Sequence, residues 1–218
     1  NQPVKIIGSH AGLYTGKDGA THQMLEDIAL MRVIPNMIVI APGDSVEAEK
    51  ATRAIAENGK PSYLRLAREK TPIFSVEQSP FEIGQAYILR DGHDVSLLGT
   101  GTMTYKLLDA ARILEGWGIY AEVVHVPTIK PLDEDTIIDT ARRTGRVITA
   151  EEAQIAGGFG AAVAELLSEK LPTPLKRFGM QDRFGESGTP DDLFDYFGLT
   201  AQKLAESIKA FVETTPQY

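Results

Sequence analysis

Four side chains in the early part of this 218-residue chain could exchange protons or bind anions. His10, Asp18 and His22 lie in a glycine-rich segment, and Arg68 follows an apolar run further along. Imidazole and carboxylate groups can hydrogen-bond to a substrate hydroxyl or exchange a proton with it, whereas a guanidinium can hold a phosphate or carboxylate with two bonds. These residue types favour a site for a small hydroxylated anion, with a solvated loop carrying surface histidines as the alternative.

The elements around these residues predict where they lie. Residues 3–9 are β-branched and predict a strand, and residues 11–20 are too rich in glycine for regular structure. From Thr21, apolar spacing predicts an amphipathic helix that stops at Pro35-Asn36. The loop would then join the carboxyl end of a strand to a helix, where open α/β sheets bind their ligands.

The rest of the chain alternates strands and helices. Residues 37–41 and 62–68 predict two strands around a helix that begins at a capping box of Asp44 and Glu47, so parallel pairing is expected. Residues 69–82 have two prolines and no usable period, which indicates a linker. Further strands are predicted at 85–89, 95–99, 121–126, 146–149 and 175–179, and helices at 104–117, 133–143, 159–170, 190–197 and 200–212.

We therefore expect an α/β protein of two three-layer units with mostly parallel sheets. Residues 1–70 would form the first unit, 71–82 the linker and 83–218 the second unit. The first unit has too few strands for a typical sheet, and bare parallel edge strands are rare. We infer that it is the back half of a domain whose front half lies on missing sequence or on a partner chain.

Composition narrows the class of protein. The net charge of −8 is spread along the chain, which disfavours a nucleic-acid surface. The absence of cysteine excludes disulfides, thiolate metal sites and cysteine nucleophiles. No apolar run predicts a membrane span and no signal-peptide pattern opens the sequence, so we expect a cytoplasmic protein without a membrane partner.

Other motifs favour structural roles. Thr104 stands where a dinucleotide loop would need its third glycine, so the GTGT motif of residues 99–102 indicates a tight turn. Glu151 and Glu152 are neighbours at a predicted strand end and should face opposite ways, which disfavours a catalytic pair. Arg65 is equally compatible with a site and with a strand end in water. His93 and His125 are isolated, and no motif predicts a metal site on this chain.

Two longer motifs, GKDGATHQ at residues 16–23 and RVIPN at 32–36, resemble the pyrimidine-binding domain of transketolases. The second half resembles the C-terminal domain of the same family through LGTG at 98–101, GGFG at 157–160 and GMQD at 179–182. The resemblance covers essentially the whole chain. It identifies the sequence as similar to the C-terminal portion of a transketolase, as in a split enzyme or a fragment.

The resemblance implies a function. Transketolases use thiamine diphosphate with Mg²⁺ or Ca²⁺ to cleave a ketose phosphate between its second and third carbons, and they move the two-carbon ketol unit to an aldose phosphate. By position, His10 and Arg68 would contact the hydroxyl and phosphate region of the sugar, and Asp18 the hydroxyl beside the reacting carbonyl. His22 would be the catalytic group that stabilises the cofactor-bound intermediate or moves protons around it.

The resemblance also implies a partner, because the family's cofactor-activating glutamate and its diphosphate and metal site are not found here. The cofactor would be bound by an N-terminal transketolase part or subunit, in a homodimer or heterotetramer, and this chain would be inactive alone. Related alternatives are a deoxyxylulose-phosphate synthase and the β-type subunit of a 2-oxoacid dehydrogenase. An alternative of another class is a non-catalytic module that only binds a partner.

Overall fold

The computed structural model describes residues 1–217 and contains two β-sheets covered by helices. The first sheet is formed by strands β1 (Lys5–Gly8), β2 (Ile38–Ile40), β3 (Ser62–Arg65) and β7 (Thr128–Lys130). They lie in the order β1-β3-β2-β7. β1 and β2 both run parallel to β3, whereas β7 is antiparallel to β2.

The second sheet has five strands in the order β4-β6-β5-β8-β9. They are β4 (Tyr87–Arg90), β5 (Val95–Gly99), β6 (Ala121–His125), β8 (Val147–Gln154) and β9 (Leu175–Met180). Only β4, at one edge, is antiparallel to its neighbour. Both sheets are therefore mostly parallel, as the alternation of elements predicted.

Seven α-helices cover the sheets within the described residues. They are α1 (Asp27–Val33), α2 (Ser45–Glu57), α3 (Met103–Glu115), α4 (Glu134–Thr144), α5 (Phe159–Lys170), α6 (Pro190–Tyr196) and α7 (Ala201–Thr214). α3 and α7 share an apolar core on one face of the second sheet, and α4 and α5 pack on the other. The predicted α/β architecture is confirmed. In residues 1–217, no helix combines the length and apolar character that crossing a bilayer requires.

One apolar core joins the two sheets. Ile28 of α1 and Val39 of β2 belong to the same buried cluster as Leu98 of β5 and Phe159 of α5. Each such side chain stabilises the fold by about 1.5–3 kcal/mol when it is fully buried. The two sheets are thus held together by a continuous core as well as by the chain connection, and residues from both can meet at one site.

The first helix begins later than its apolar spacing predicts. α1 starts at Asp27, so the expected start at Thr21 is wrong. The backbone N–H of Gly12 donates to the carbonyl of Met24, and the N–H of Gln154 donates to the carbonyl of Leu25. These two bonds hold Met24 and Leu25 against other segments, outside the helix.

Several strands also differ from their predicted limits. β3 ends at Arg65 rather than at residue 68, and β8 continues to Gln154 rather than ending at 149. No strand is predicted at Thr128–Lys130. In the structure these residues form β7, which pairs with β2 in the first sheet although it lies in the predicted second unit. Two glutamates, Glu151 and Glu152, interrupt the apolar pattern of β8, although both are buried. An apolar pattern therefore underestimates the length of a strand that carries buried carboxylates.

Asp44 fastens the linker to the start of α2. Its carboxylate accepts a bond of 3.0 Å from the N–H of Glu47, which caps the helix. It also accepts bonds from the N–H groups of Phe74 and Ser75, at 2.9 and 2.7 Å, and from the Ser75 hydroxyl at 2.7 Å. One buried side chain therefore satisfies both a helix end and a turn of the linker.

We expect Asp44→Ala to lower the free energy of unfolding by about 2–4 kcal/mol, because it removes a helix cap and leaves linker N–H groups unpaired. Thr200→Ala is the matched control, since Thr200 caps α7 through a single bond of 3.4 Å and should cost only about 1 kcal/mol. Urea unfolding followed by circular dichroism gives both values. Equal losses in the two variants would contradict this role for Asp44.

The same contacts set a pH dependence. Burial acts to raise the pKa of Asp44, but its bonds from Glu47, Ser75 and Phe74 outweigh burial and lower it below the ordinary value. The carboxylate therefore stabilises the fold above the unfolded-state pKa of about 3.9, and this contribution is lost as the pH falls through the lower folded-state value. The difference between wild type and Asp44→Ala should accordingly shrink on acidification.

Candidate active site

The loop between β1 and α1, residues 9–26, is called the site loop here because it carries three of the predicted site residues. Its middle forms a short 3-10 turn at Leu13–Asp18, interrupted at Gly16. The Thr15 hydroxyl donates to the carbonyl of His10 at 2.6 Å, and the N–H of His22 donates to the carbonyl of Gly19 at 3.0 Å. These bonds fold the loop into a compact unit, and the 3-10 turn shows that the expected lack of regular structure over residues 11–20 is wrong at Leu13–Asp18.

The structure brings Asp18 and Arg68 together. Nη1 of Arg68 lies 2.9 Å from Oδ1 of Asp18 and donates to the carbonyl of Thr15 at 3.2 Å. Both charged side chains are about one-third exposed, at 37% and 35%. An incoming anion could therefore reach the guanidinium, which the site loop already holds in place.

The two histidines are exposed and make only local contacts. Nδ1 of His10 lies 2.9 Å from the Ser9 hydroxyl, and Nδ1 of His22 lies 2.8 Å from the Thr21 hydroxyl. Neither ring has a hydrogen bond to Asp18 or Arg68 in the described part of the chain. When the hydroxyl donates to Nδ1, Nε2 carries the proton and can donate to a ligand.

Below the site loop lies a buried charge cluster, Asp27, Arg65 and Glu152, which we call the anchor. Nε of Arg65 is 2.9 Å from Oδ2 of Asp27, and its Nη1 is 3.4 Å from Oε1 of Glu152. The Tyr63 hydroxyl donates to Oδ2 of Asp27 at 2.6 Å, and the Thr102 hydroxyl donates to Oε1 of Glu152 at 2.7 Å. The anchor thus joins β3, α1 and β8.

The charges of the anchor stabilise one another. Burial acts to lower the pKa of Arg65, but Asp27 and Glu152 outweigh burial and raise it, so the guanidinium is always charged. Burial raises the pKa of Glu152, an effect that Arg65 and the Thr102 hydroxyl partly offset. Removing Arg65 would leave the two buried carboxylates without a counter-charge, which is strongly destabilising.

The site loop touches the anchor through its backbone. The N–H of Tyr14 donates to Oε2 of Glu152 at 3.3 Å. Gly12 has a φ of 82°, and a Cβ there would lie 2.5 Å from the carboxylate of Glu152 and 2.8 Å from Nη2 of Arg65. Only glycine allows this approach, so the loop backbone and the anchor are fitted to each other.

Further contacts hold the site loop, both within the loop and against residues that follow β9 in the chain. Nε2 of Gln23 donates to the carbonyl of Gly16 at 3.1 Å and to that of Glu186 at 2.9 Å. The Tyr14 ring packs 4.9 Å from that of Phe194 on α6. The sequence does not predict these contacts or the anchor, because the partners are distant along the chain and share no motif spacing. Among these residues, only Arg65 was a candidate, because it lies at a predicted strand end.

Glu151 and Glu152 face different partners, as predicted for neighbours in a strand. Glu151 accepts bonds of 2.8 Å from the N–H groups of Phe159 and Gly160 and so caps α5. Burial raises the pKa of Glu151 to about 7 despite these two bonds. It therefore acts at a helix start, whereas Glu152 acts at the site loop.

His125 is part of the core. Its Nδ1 lies 2.7 Å from the Thr104 hydroxyl and its Nε2 lies 2.7 Å from a carboxylate oxygen of Glu47. The ring is only 2% exposed. This histidine joins α2 to β6 and does not reach the site loop through any hydrogen bond.

The arrangement can bind a small polyhydroxylated anion. The exposed arginine matches an anionic end group, and the carboxylate and imidazoles match hydroxyls. In residues 1–217, no three side chains of histidine, cysteine, aspartate or glutamate lie together in a way that could hold a metal ion.

Two family models match this chain. The pyrimidine-binding domain of transketolase matches residues 1–73, and the C-terminal domain of transketolase matches residues 84–204.

Similar curated proteins include sections and subunits of transketolases. A putative transketolase C-terminal section of Methanocaldococcus jannaschii is 45% identical over 208 residues. A 6-deoxy-6-sulfo-D-fructose transketolase subunit of Clostridium sp. (strain MSTE9) is 42% identical over 210 residues. These alignments cover 94% and 96% of this chain but only 65% of either relative's length. A 1-deoxy-D-xylulose-5-phosphate synthase of Crocosphaera subtropica is 40% identical over 222 residues, which are 35% of its length.

A solved structure described as a split gene transketolase, inactive beta4 tetramer, is similar over almost the whole fold. The TM-score is 0.91 at 42% identity, and the match covers 98% of this chain and 68% of that one. Together with the two family models, this similarity shows that the chain belongs to the transketolase family and corresponds to its pyrimidine-binding and C-terminal domains.

Proposed function

We propose that this chain is the C-terminal part or subunit of a thiamine-diphosphate-dependent transketolase. It would transfer a two-carbon ketol unit from a ketose phosphate to an aldose phosphate, and only together with an N-terminal part. The main support is the ion pair between Asp18, on a loop that also exposes two histidines, and Arg68. The chain that contains this pair belongs to the transketolase family.

Arg68 would bind the anionic end of the sugar. Its guanidinium is held by Asp18 yet remains 35% exposed, so a phosphate could share it or displace the carboxylate. The relative from Clostridium is named for a sulfonated sugar. Because sulfonate and phosphate are both tetrahedral oxyanions that a guanidinium can bind, a substrate screen should include both.

The remaining site residues would act on hydroxyls. Asp18 would accept a hydrogen bond from the hydroxyl next to the reacting carbonyl, while still holding Arg68. Hydroxyl groups beside His10 and His22 orient Nδ1 of each ring, which leaves Nε2 to donate or to exchange a proton. In the proposal, His22 moves the proton and His10 binds the sugar.

The cofactor and its Mg²⁺ or Ca²⁺ would be held by the N-terminal part. When bound, thiamine diphosphate supplies the carbanion chemistry of the reaction. This chain would supply sugar-binding groups and a proton-transfer group beside it.

A partner surface is available at the edge of the first sheet. Within residues 1–217, β1 pairs with β3 alone, and Ile6 and Ile7 are 38% and 47% exposed on its two faces. Exposed apolar side chains on a parallel edge strand favour association with further structure. This supports an assembly with an N-terminal part, as a homodimer or a heterotetramer.

A 1-deoxy-D-xylulose-5-phosphate synthase is the second candidate, because one such enzyme is 40% identical across the full chain. The transketolase assignment is preferred because relatives described as transketolase sections or subunits match at 45% and 42% identity. Substrate profiling of the assembled complex distinguishes the two. A non-catalytic module would show assembly without any transfer activity.

We expect His22→Ala to reduce kcat of the complex with its N-terminal part by about 10²–10⁴-fold, because a positioned proton-transfer group contributes about that much. The rate is measured with thiamine diphosphate, Mg²⁺, a ketose phosphate and an aldose phosphate. Assembly, followed by size-exclusion chromatography, should be unchanged.

His93→Ala is the matched control for that variant. His93 is also an exposed histidine, but it stacks on Tyr120 in the second sheet's unit, at a ring distance of 5.3 Å. It should leave the rate unchanged. An unaltered rate in His22→Ala would show that the site assignment is wrong.

We expect Arg68→Ala to raise KM for the ketose phosphate by about 10- to 100-fold, since it removes a charged hydrogen bond to the anionic group. The effect on kcat should be much smaller. Arg53→Ala is the control, because Arg53 forms an exposed pair with Glu49 on α2 and contacts no part of the site loop. A KM that stays at the wild-type value would rule out phosphate binding by Arg68.

A further inference from the structure

The site loop rests on a carboxylate that belongs to the other sheet. Glu152 lies on β8 and is 3% exposed, yet its Oε2 accepts the N–H of Tyr14 in the middle of the loop. Its other oxygen, Oε1, accepts from Thr102 at 2.7 Å and from Arg65 at 3.4 Å. One side chain therefore connects the loop with two separate elements of the fold.

We propose that Glu152 is a positioning residue that fixes the site loop in the conformation required for sugar binding. The second sheet's unit would then contribute to the active site by holding the loop that bears His10, Asp18 and His22. The catalytic consequence rests on the proposed function, whereas the effect on the loop's order can be measured without it. No contact between Glu152 and a substrate is required.

The anchor has one more negative charge than positive charge, so Glu152 can be neutralised without leaving Arg65 unpaired. Glu152 and Asp27 together carry two negative charges against the single positive charge of Arg65. Glu152→Gln leaves Asp27 and Arg65 as a balanced pair, so the buried charges remain compensated. The variant is therefore expected to fold, unlike a substitution that removes Arg65.

Glutamine can replace only part of the glutamate's bonding. Its amide has one acceptor oxygen and one donor nitrogen; Arg65 can only donate, whereas the Thr102 hydroxyl can donate or accept. The oxygen should face Arg65, which turns the amide nitrogen towards the N–H of Tyr14. Two donors would then oppose each other at the loop, so the loop contact is the one that is lost.

Limited proteolysis of the chain alone tests the effect on the loop. Lys17 is exposed in the site loop and offers trypsin a cleavage site, detected by mass as the fragment of residues 1–17. We expect Glu152→Gln to accelerate this cleavage about tenfold, because a hydrogen bond to a charged group contributes about that factor to an equilibrium. Unchanged cleavage at Lys17 in a folded variant would overturn the proposal.

Glu122→Gln is the matched control. Glu122 is another buried glutamate of the second sheet, paired with Arg143 at 2.6 Å and bonded to Ser96 at 3.2 Å, without contact to the site loop. It should leave cleavage at Lys17 at the wild-type rate, whatever its urea midpoint. Equal acceleration in both variants would show general destabilisation and would contradict a specific role for Glu152.

The unmodified chain provides a test that does not depend on a variant folding. The amide of Tyr14 should be protected from hydrogen exchange, because it donates to a buried carboxylate. Rapid exchange there, at the rate of an open loop, would contradict the proposal.

The assembled complex tests the consequence for catalysis. Glu152→Gln should lower kcat/KM for the sugar phosphate about tenfold, while the urea midpoint changes no more than in Glu122→Gln. Normal kcat/KM with faster cleavage at Lys17 would overturn the catalytic role. If the wild-type complex had no transketolase activity, the proposed function would fail, while proteolysis and exchange would still decide whether Glu152 holds the loop.

Discussion

The buried guanidinium of Arg65 is the constraint on which the site depends. It lies between Asp27 at the start of α1 and Glu152 on β8, so it ties together the two sheets and the first helix. The anchor takes its buried charges from both sheets, and a charge removed from water needs a compensating partner. The anchor is therefore complete only when both sheets are assembled, and the site loop, with Gly12 against it, follows from that assembly.

Exposed and buried groups have different proposed roles at the site. The side chains proposed to meet the sugar, His10, Asp18, His22 and Arg68, lie at the surface, where a ligand or a partner can reach them. The groups that fix their backbone are buried and belong partly to the second sheet's unit. In the proposed function, the second sheet's unit of this chain would serve the active site by holding the site loop.

The α/β class and most helices could be predicted from the sequence, because their apolar periodicity is local. The capping box at Asp44 was equally visible, since cap and helix are adjacent. The anchor could not be predicted, because Arg65 and Glu152 are far apart in sequence and buried charges interrupt the pattern that marks a strand. The same non-local pairing explains why the helix predicted from Thr21 begins at Asp27: the carbonyls of Met24 and Leu25 are bonded to distant segments.

In the proposed function, this chain supplies the sugar-facing part of an active site that another part completes. Titrating the purified chain with its N-terminal transketolase part tests it most directly, in the presence of thiamine diphosphate, Mg²⁺ and sugar phosphates. We expect no ketol transfer by either component alone, and activity that rises with added partner until it saturates. Robust transfer by this chain alone, or none from an assembled complex, would show that the active site is not shared in this way.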